Sequence, residues 1–184
     1  MEGELEKDFI KNHYGNLSVE YFEQIILENE KAIIKFAFTY VKDWAVAEDI
    51  SQEVFIKVYK NIATFNRDSK LRTWLFSITA NQCKDYLRKS GKTTKWLNDF
   101  FKGLQKQNDE NPENILLEHE EKKSIGKALL SLPVKYREVL VLYYYEDLST
   151  EEIAKLLHIN SSTIRSRLER GRKQLKKWSE GGLK

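Results

Sequence analysis

Val46, Ile50, Val54, Val58 and Ile62 recur every four residues with neither proline nor glycine between them. On a strand, whose side chains alternate with a period of two, Glu48, Gln52 and Lys60 would share the face of these five, whereas a helix keeps the five on one seam over about four turns. An apolar stripe of that length is stable only when other helices cover it, so the segment predicts a helical core. Its neighbours supply the cover. Phe22, Ile26, Ile33, Ala37 and Val41 share helical spacing from Val19 to Val41, and Lys42 and Asp43 lead into the helix Ala45 to Asn61. After the polar loop Asn66 to Lys70, a third helix from Leu71 to Lys89 offers Leu75, Ile78, Cys83, Tyr86 and Leu87 to the same core.

Between Lys92 and Glu121 the periodicity fades, and Gly91, Gly103, Asn111 and Pro112 are scattered among charges, as in a connector between packed units. Asp109, Glu110, Glu113, Glu118, Glu120 and Glu121 make its later part acidic. That run reads either as a solvated connector or as a mimic of nucleic acid in a basic channel, and Trp96, Phe100 and Phe101 suggest that part of it docks. Helical pattern resumes with Ile125, Ala128 and Leu129. Pro133 then opens another helix through Val134, Leu140 and Leu142 to Tyr145. With only 2 Pro and 8 Gly in 184 residues, the many turns of a sandwich or barrel are not available. The expected fold is all-α: two small helical domains over 19–95 and 121–184, a flexible linker over 96–120, and an N-terminal extension over 1–18. Cys83, the single cysteine, excludes an internal disulfide and fits a reducing cytoplasm. No apolar run is long enough to cross a bilayer.

Net charge is only +3, so the placement of charge matters more than its sum. Ser149, Thr150, Glu151 and Glu152 form a capping-box pattern that starts a short helix through Ile153, Ala154, Leu156 and Leu157. His158, Ile159 and Asn160 make a tight turn, Asn160 or Ser161 caps again, and a last helix runs towards Trp178. This is a helix-turn-helix, with small Ala154 at the close approach. Ile164, Leu168, Leu175 and Trp178 anchor one side of the last helix. Arg165, Arg167, Arg170, Arg172, Lys173, Lys176 and Lys177 occupy the rest, against Glu169. Such a helix can neutralise phosphates and pair arginines with guanine edges, and Ser162 and Thr163 sit near its free amides. A merely solvated basic helix explains the charge but not the capped partner and the turn.

Two further faces carry polar chemistry. Asp49, Gln52, Glu53 and Ile56 fall at i, i+3, i+4 and i+7, an acidic and amide-bearing stripe that is either solvated or meets a basic helix. Trp74, Ser77, Asn81, Lys84 and Arg88 share a face of the third helix: a stacking ring, a reading amide and phosphate neutralisers suited to single-stranded nucleic acid, unless Trp74 is simply core. Enzymatic motifs are lacking. His13, His119 and His158 form no metal pair, and no glycine-rich phosphate loop or Gly-x-Ser-x-Gly elbow occurs, so no catalytic residue, metal or cofactor is expected.

The stretch from Ala47 to Tyr59, with Leu71 to Ile78 and Asp85 to Arg88, closely resembles region two of extracytoplasmic-function sigma factors of bacterial RNA polymerase. Leu132-Pro133, Glu151 to Ala154 and Ser162 to Leu168 resemble region four of the same family. The resemblance implies that Asp49, Gln52 and Glu53, with Ile56 beside them, grip the beta-prime clamp helices of core polymerase. It implies that Phe65, Asp68, Ser69, Lys70, Trp74, Ser77, Asn81, Lys84 and Arg88 hold the melted minus-ten element. Arg165, Ser166 and Arg170 would face the minus-thirty-five duplex, with Arg167 and Lys173 on its phosphates, while Ser162 and Thr163, by their place at the helix start, suit phosphate or base contact. Ser77 departs from the family, many of whose members carry a cation there. The implied partners are core polymerase, including its beta flap, promoter DNA, and an anti-sigma factor, in many relatives membrane-anchored; no small-molecule substrate is implied. A conventional helix-turn-helix regulator on a duplex operator is the competing reading.

Overall fold

Four of the helices start at a side-chain cap or a proline. The computed structural model describes residues 19–62, 65, 70–90 and 120–181. Helix α1 spans Val19–Val41, α2 Trp44–Asn61 and α3 Leu71–Lys89. Lys42 turns the chain with a positive φ of 55°, and Asp43 caps α2 by accepting the Val46 amide at 3.2 Å. Ile50, Val54, Val58 and Ile62 are buried as their spacing requires, with Val46 half-buried at the edge. From α1 the core takes Ile25, Ile33, Phe36, Ala37 and Tyr40. From α3 it takes Leu75, Phe76, Ala80 and Cys83. Phe36 meets Phe76 edge-on at 5.0 Å, which ties α1 to α3. The Cys83 thiol lies fully inside this core, where burial pushes its pKa up.

The second unit comprises α4, Glu120–Ser131, α5, Val134–Tyr144, α6, Thr150–Leu157, and α7, Ser161–Gly181. Pro133 occupies the position before α5, where its missing amide costs nothing. Both arms of the capping box at α6 are present: Glu152 N–H donates to Ser149 Oγ at 3.2 Å, and Ser149 N–H donates to Glu152 Oε2 at 2.8 Å. The Ser149 amide, foremost, then the Ser149 hydroxyl, holds the Glu152 carboxyl below its ordinary pKa. Ser149→Ala is expected to destabilise the chain by about 1 kcal/mol, visible as a lower urea midpoint at constant slope.

His158 adopts a left-handed conformation, φ 55°, after α6, and Asn160 Oδ1 accepts the Thr163 amide at 2.8 Å to start α7. Ile164 and Leu168 are buried against α5 and α6. Gly171 lets α7 approach closely, since a Cβ there would stand 2.9 Å from Leu140 Cδ1. Two apolar positions depart from the sequence expectation. Trp178 is 36% exposed because α7 runs on past the last core contact at Leu175, and Ile125 is 56% exposed on α4.

The units do not stand apart. Helix α3 packs on α6 and α1 on α5, so the buried apolar residues of both halves form one continuous cluster. The extension and the connector, including Trp96, Phe100 and Phe101, lie outside the described residues, as do Asp68 and Ser69. Among the described residues no helix is long and apolar enough to cross a membrane.

Candidate functional site

Three surfaces hold the polar residues singled out above. The first lies on α2, where Asp49, Gln52, Glu53 and Ile56 are all exposed and line one face. Ile56 leaves 54% of its surface to solvent, an apolar patch beside two carboxylates and an amide. Glu53 accepts a hydrogen bond from Gln82, whose amide oxygen accepts from Lys57, so the stripe is braced against α3. Such a face suits a partner helix that offers cations and an apolar edge.

The second surface lies on α3. The Phe65 ring sits 5.1 Å from that of Trp74, and Trp74 is half-buried, so one ring face of the pair backs onto the core. Asn81, Arg88 and Lys70 are exposed, and Arg88 pairs with Asp85 at 2.9 Å. The remaining members are engaged by the second unit: Ser77 Oγ donates to the Leu156 carbonyl at 3.1 Å, and Lys84 Nζ lies 3.2 Å from Glu138 Oε2.

The third surface is the outer side of α7. Ser162, Arg165, Ser166, Arg170 and Lys173 are exposed, while Thr163 and Arg167 are half-buried. Arg165 pairs with Glu151 at 2.9 Å and Lys173 with Glu169 at 2.8 Å. Both acids are held below their ordinary pKa, Glu151 by the Thr150 hydroxyl and then Arg165, Glu169 by the hydrogen bond and charge of Lys173. These exposed pairs are weak and exchange readily for a stronger anion. A concavity of about 320 Å³ opens beside the start of α7, lined by Ser162, Thr163, Ser166, Arg167 and Arg170 together with Lys135 and Tyr136 of α5. Cations and hydroxyls around a helix start form an anion seat. Lys135 escaped the sequence reading because only the packing of α5 against α7 brings it there.

Between the units lies a buried charge cluster that no motif announced. Glu138, 2% exposed, accepts from Tyr40 Oη at 2.7 Å and pairs with Arg167 at 2.9 Å as well as with Lys84. Burial, then the neighbouring carboxylate, keeps Tyr40 protonated as a donor. Arg137 is fully buried; its Nη1 donates to the Leu130 and Leu132 carbonyls at 2.6 and 3.1 Å. Burial lowers its pKa to about 10. Burial, and then Arg137, also lower Lys42 to about 7.

Comparison with known proteins covers both units. Residues 25–93 match the family described as Sigma-70 region 2, and residues 122–175 match Sigma-70, region 4. The chain is 32% identical to the RNA polymerase sigma-H factor of Pseudomonas aeruginosa, over 85% of its own length and 84% of that protein's. It is 37% identical to the ECF RNA polymerase sigma factor SigW of Bacillus subtilis, over 71% and 74%. The fold is shared with the sigma factor RpoE solved in complex with the anti-sigma factor NepR from Bartonella quintana, at TM-score 0.67, 24% identity and coverage of 88% of this chain and 98% of that one. A lone helix-turn-helix regulator would match the second unit only. Both regions are present, in order, in relatives matched over most of their length, and the chain therefore belongs to the extracytoplasmic-function family of RNA polymerase sigma factors.

Proposed function

We propose that the chain binds core RNA polymerase and directs it to particular promoters, performing no chemistry itself. The observation that carries this reading is the pairing of an exposed acidic face on α2 with an exposed cationic face on an anchored α7. Asp49, Gln52, Glu53 and Ile56 dock on the beta-prime clamp helices. Phe65, Asp68, Ser69, Lys70, Trp74, Ser77, Asn81, Lys84 and Arg88 hold the melted minus-ten strand. An unstacked base costs a few kcal/mol, so capturing it beside an aromatic platform couples recognition to melting. Arg165, Ser166 and Arg170 read the minus-thirty-five major groove. Ser162, Thr163, Arg167 and Lys173 take phosphates, and Lys135 joins them from across the anion seat. The two units, 19–95 and 121–184, work in the cytoplasm beside the polymerase, with 96–120 as connector. An anti-sigma factor is the expected regulator, because related folds have been solved with one bound.

Run-off transcription with core polymerase and a promoter library tests the reading, and initiation that does not change when the chain is added rejects it. Within that assay Arg165→Ala is expected to weaken a subset of promoters by about tenfold, the worth of one bidentate base contact. Equal loss on every promoter would reduce Arg165 to a phosphate contact.

A further inference from the structure

The cluster around Glu138 joins residues that the DNA reading assigns to different promoter elements. Lys84 of α3 belongs to the minus-ten face and Arg167 of α7 to the minus-thirty-five face, yet both are bound to the two oxygens of one carboxylate. Glu138 is 2% exposed, whereas the side chains of Lys84 and Arg167 keep 41% and 25% of their surface in solvent. The carboxylate therefore has little water and depends on these cations and on the Tyr40 hydroxyl for its charge. The units also meet where Ser77 of the minus-ten face donates to the Leu156 carbonyl and where Arg72 reaches Glu146 at 2.7 Å.

We propose that Glu138 is an internal latch, whose carboxylate takes the place of DNA phosphate on Lys84, accepts from Tyr40 and so holds the two units closed, with Ser77 and Lys84 of the minus-ten face engaged by the second unit. Closing and DNA binding compete for Lys84, which the carboxylate holds across the units, whereas Arg167 lies on the same unit as Glu138 and is paired within it. The acidic face of α2 stays exposed in the closed arrangement. Polymerase can therefore take hold of the closed chain first, and the promoter gains Lys84 only as the units part. The consequence for promoters rests on the assignment of Lys84 to DNA, while the closure itself does not.

The test uses the full chain labelled with a donor and acceptor dye pair through Lys35→Cys on α1 and Gln174→Cys on α7, both exposed positions. Cys83 stays unlabelled inside the core. Glu138→Gln removes the charge and keeps the shape. Its energy-transfer efficiency is expected to fall below that of the parent chain, and its affinity for a mixed-sequence DNA duplex to rise by about tenfold as Arg167 loses its carboxylate partner. Lys84→Met breaks the latch from the other unit and is expected to lower the efficiency likewise, so the result stands even if Glu138→Gln folds poorly. Unchanged efficiency in both variants overturns the latch. Lower efficiency in both with unchanged duplex affinity for Glu138→Gln upholds the latch and overturns the assignment of Arg167 to DNA.

Discussion

A chain carrying Asp49→Ala, Gln52→Ala and Glu53→Ala is expected to lose core polymerase while remaining folded. All three side chains are exposed on α2, and the buried seam of Ile50, Val54 and Val58 on its opposite side is untouched. Alanine is also the best helix former, so the helix itself gains slightly. What disappears is the charged and amide surface around Ile56, together with the brace from Glu53 to Gln82. If these residues form the centre of the contact, their joint removal costs at least about 3 kcal/mol, a weakening of more than about a hundredfold. Titration of labelled core enzyme measures that loss, and a melt followed by circular dichroism verifies the fold. Undiminished binding by the folded variant would remove the docking assignment from α2.

Leu168→Ala is expected to have a comparably large effect through stability. The side chain is 3% exposed and anchors α7 next to fully buried Ile164. Truncating a buried leucine costs about 2 to 5 kcal/mol, a large share of the stability of so small a helical unit. Hydrogen exchange should rise first in α6 and α7. Transcription from promoters that depend on the minus-thirty-five element should fall with it, while polymerase binding through α2 persists. Wild-type protection in both helices would show that α7 is held by something other than its apolar side.

The end of α1 and both limits of α3 follow from the sequence to the residue, because apolar periodicity and polar breaks coincide at Val41, Leu71 and Lys89. The capping box at Ser149 and the turn at His158 were equally legible, since caps are local chemistry. The inner side of α3 was less so. Thr73, Thr79 and Ala80 are buried beside Phe76, yet small or hydroxyl-bearing residues carry little periodic signal, and Thr79 meets its burial by donating to the Leu75 carbonyl at 2.8 Å. Arg137 and Glu138 were the hardest to foresee. Adjacent charges on a helix read as solvated, and only the packing of α5 against α1 encloses them. Periodicity reports that a face is covered, never by which distant helix, so the seam between the units and the place of Lys135 beside α7 lay beyond it.

The enclosed thiol of Cys83 has a chemical corollary. Oxidants and electrophiles act on exposed thiolates, and this sulfur is both sealed from solvent and held in its protonated form. Peroxide or disulfide stress thus leaves the polypeptide covalently unaltered at its single cysteine. If the genes it serves respond to such stress, the sensing chemistry belongs to another molecule.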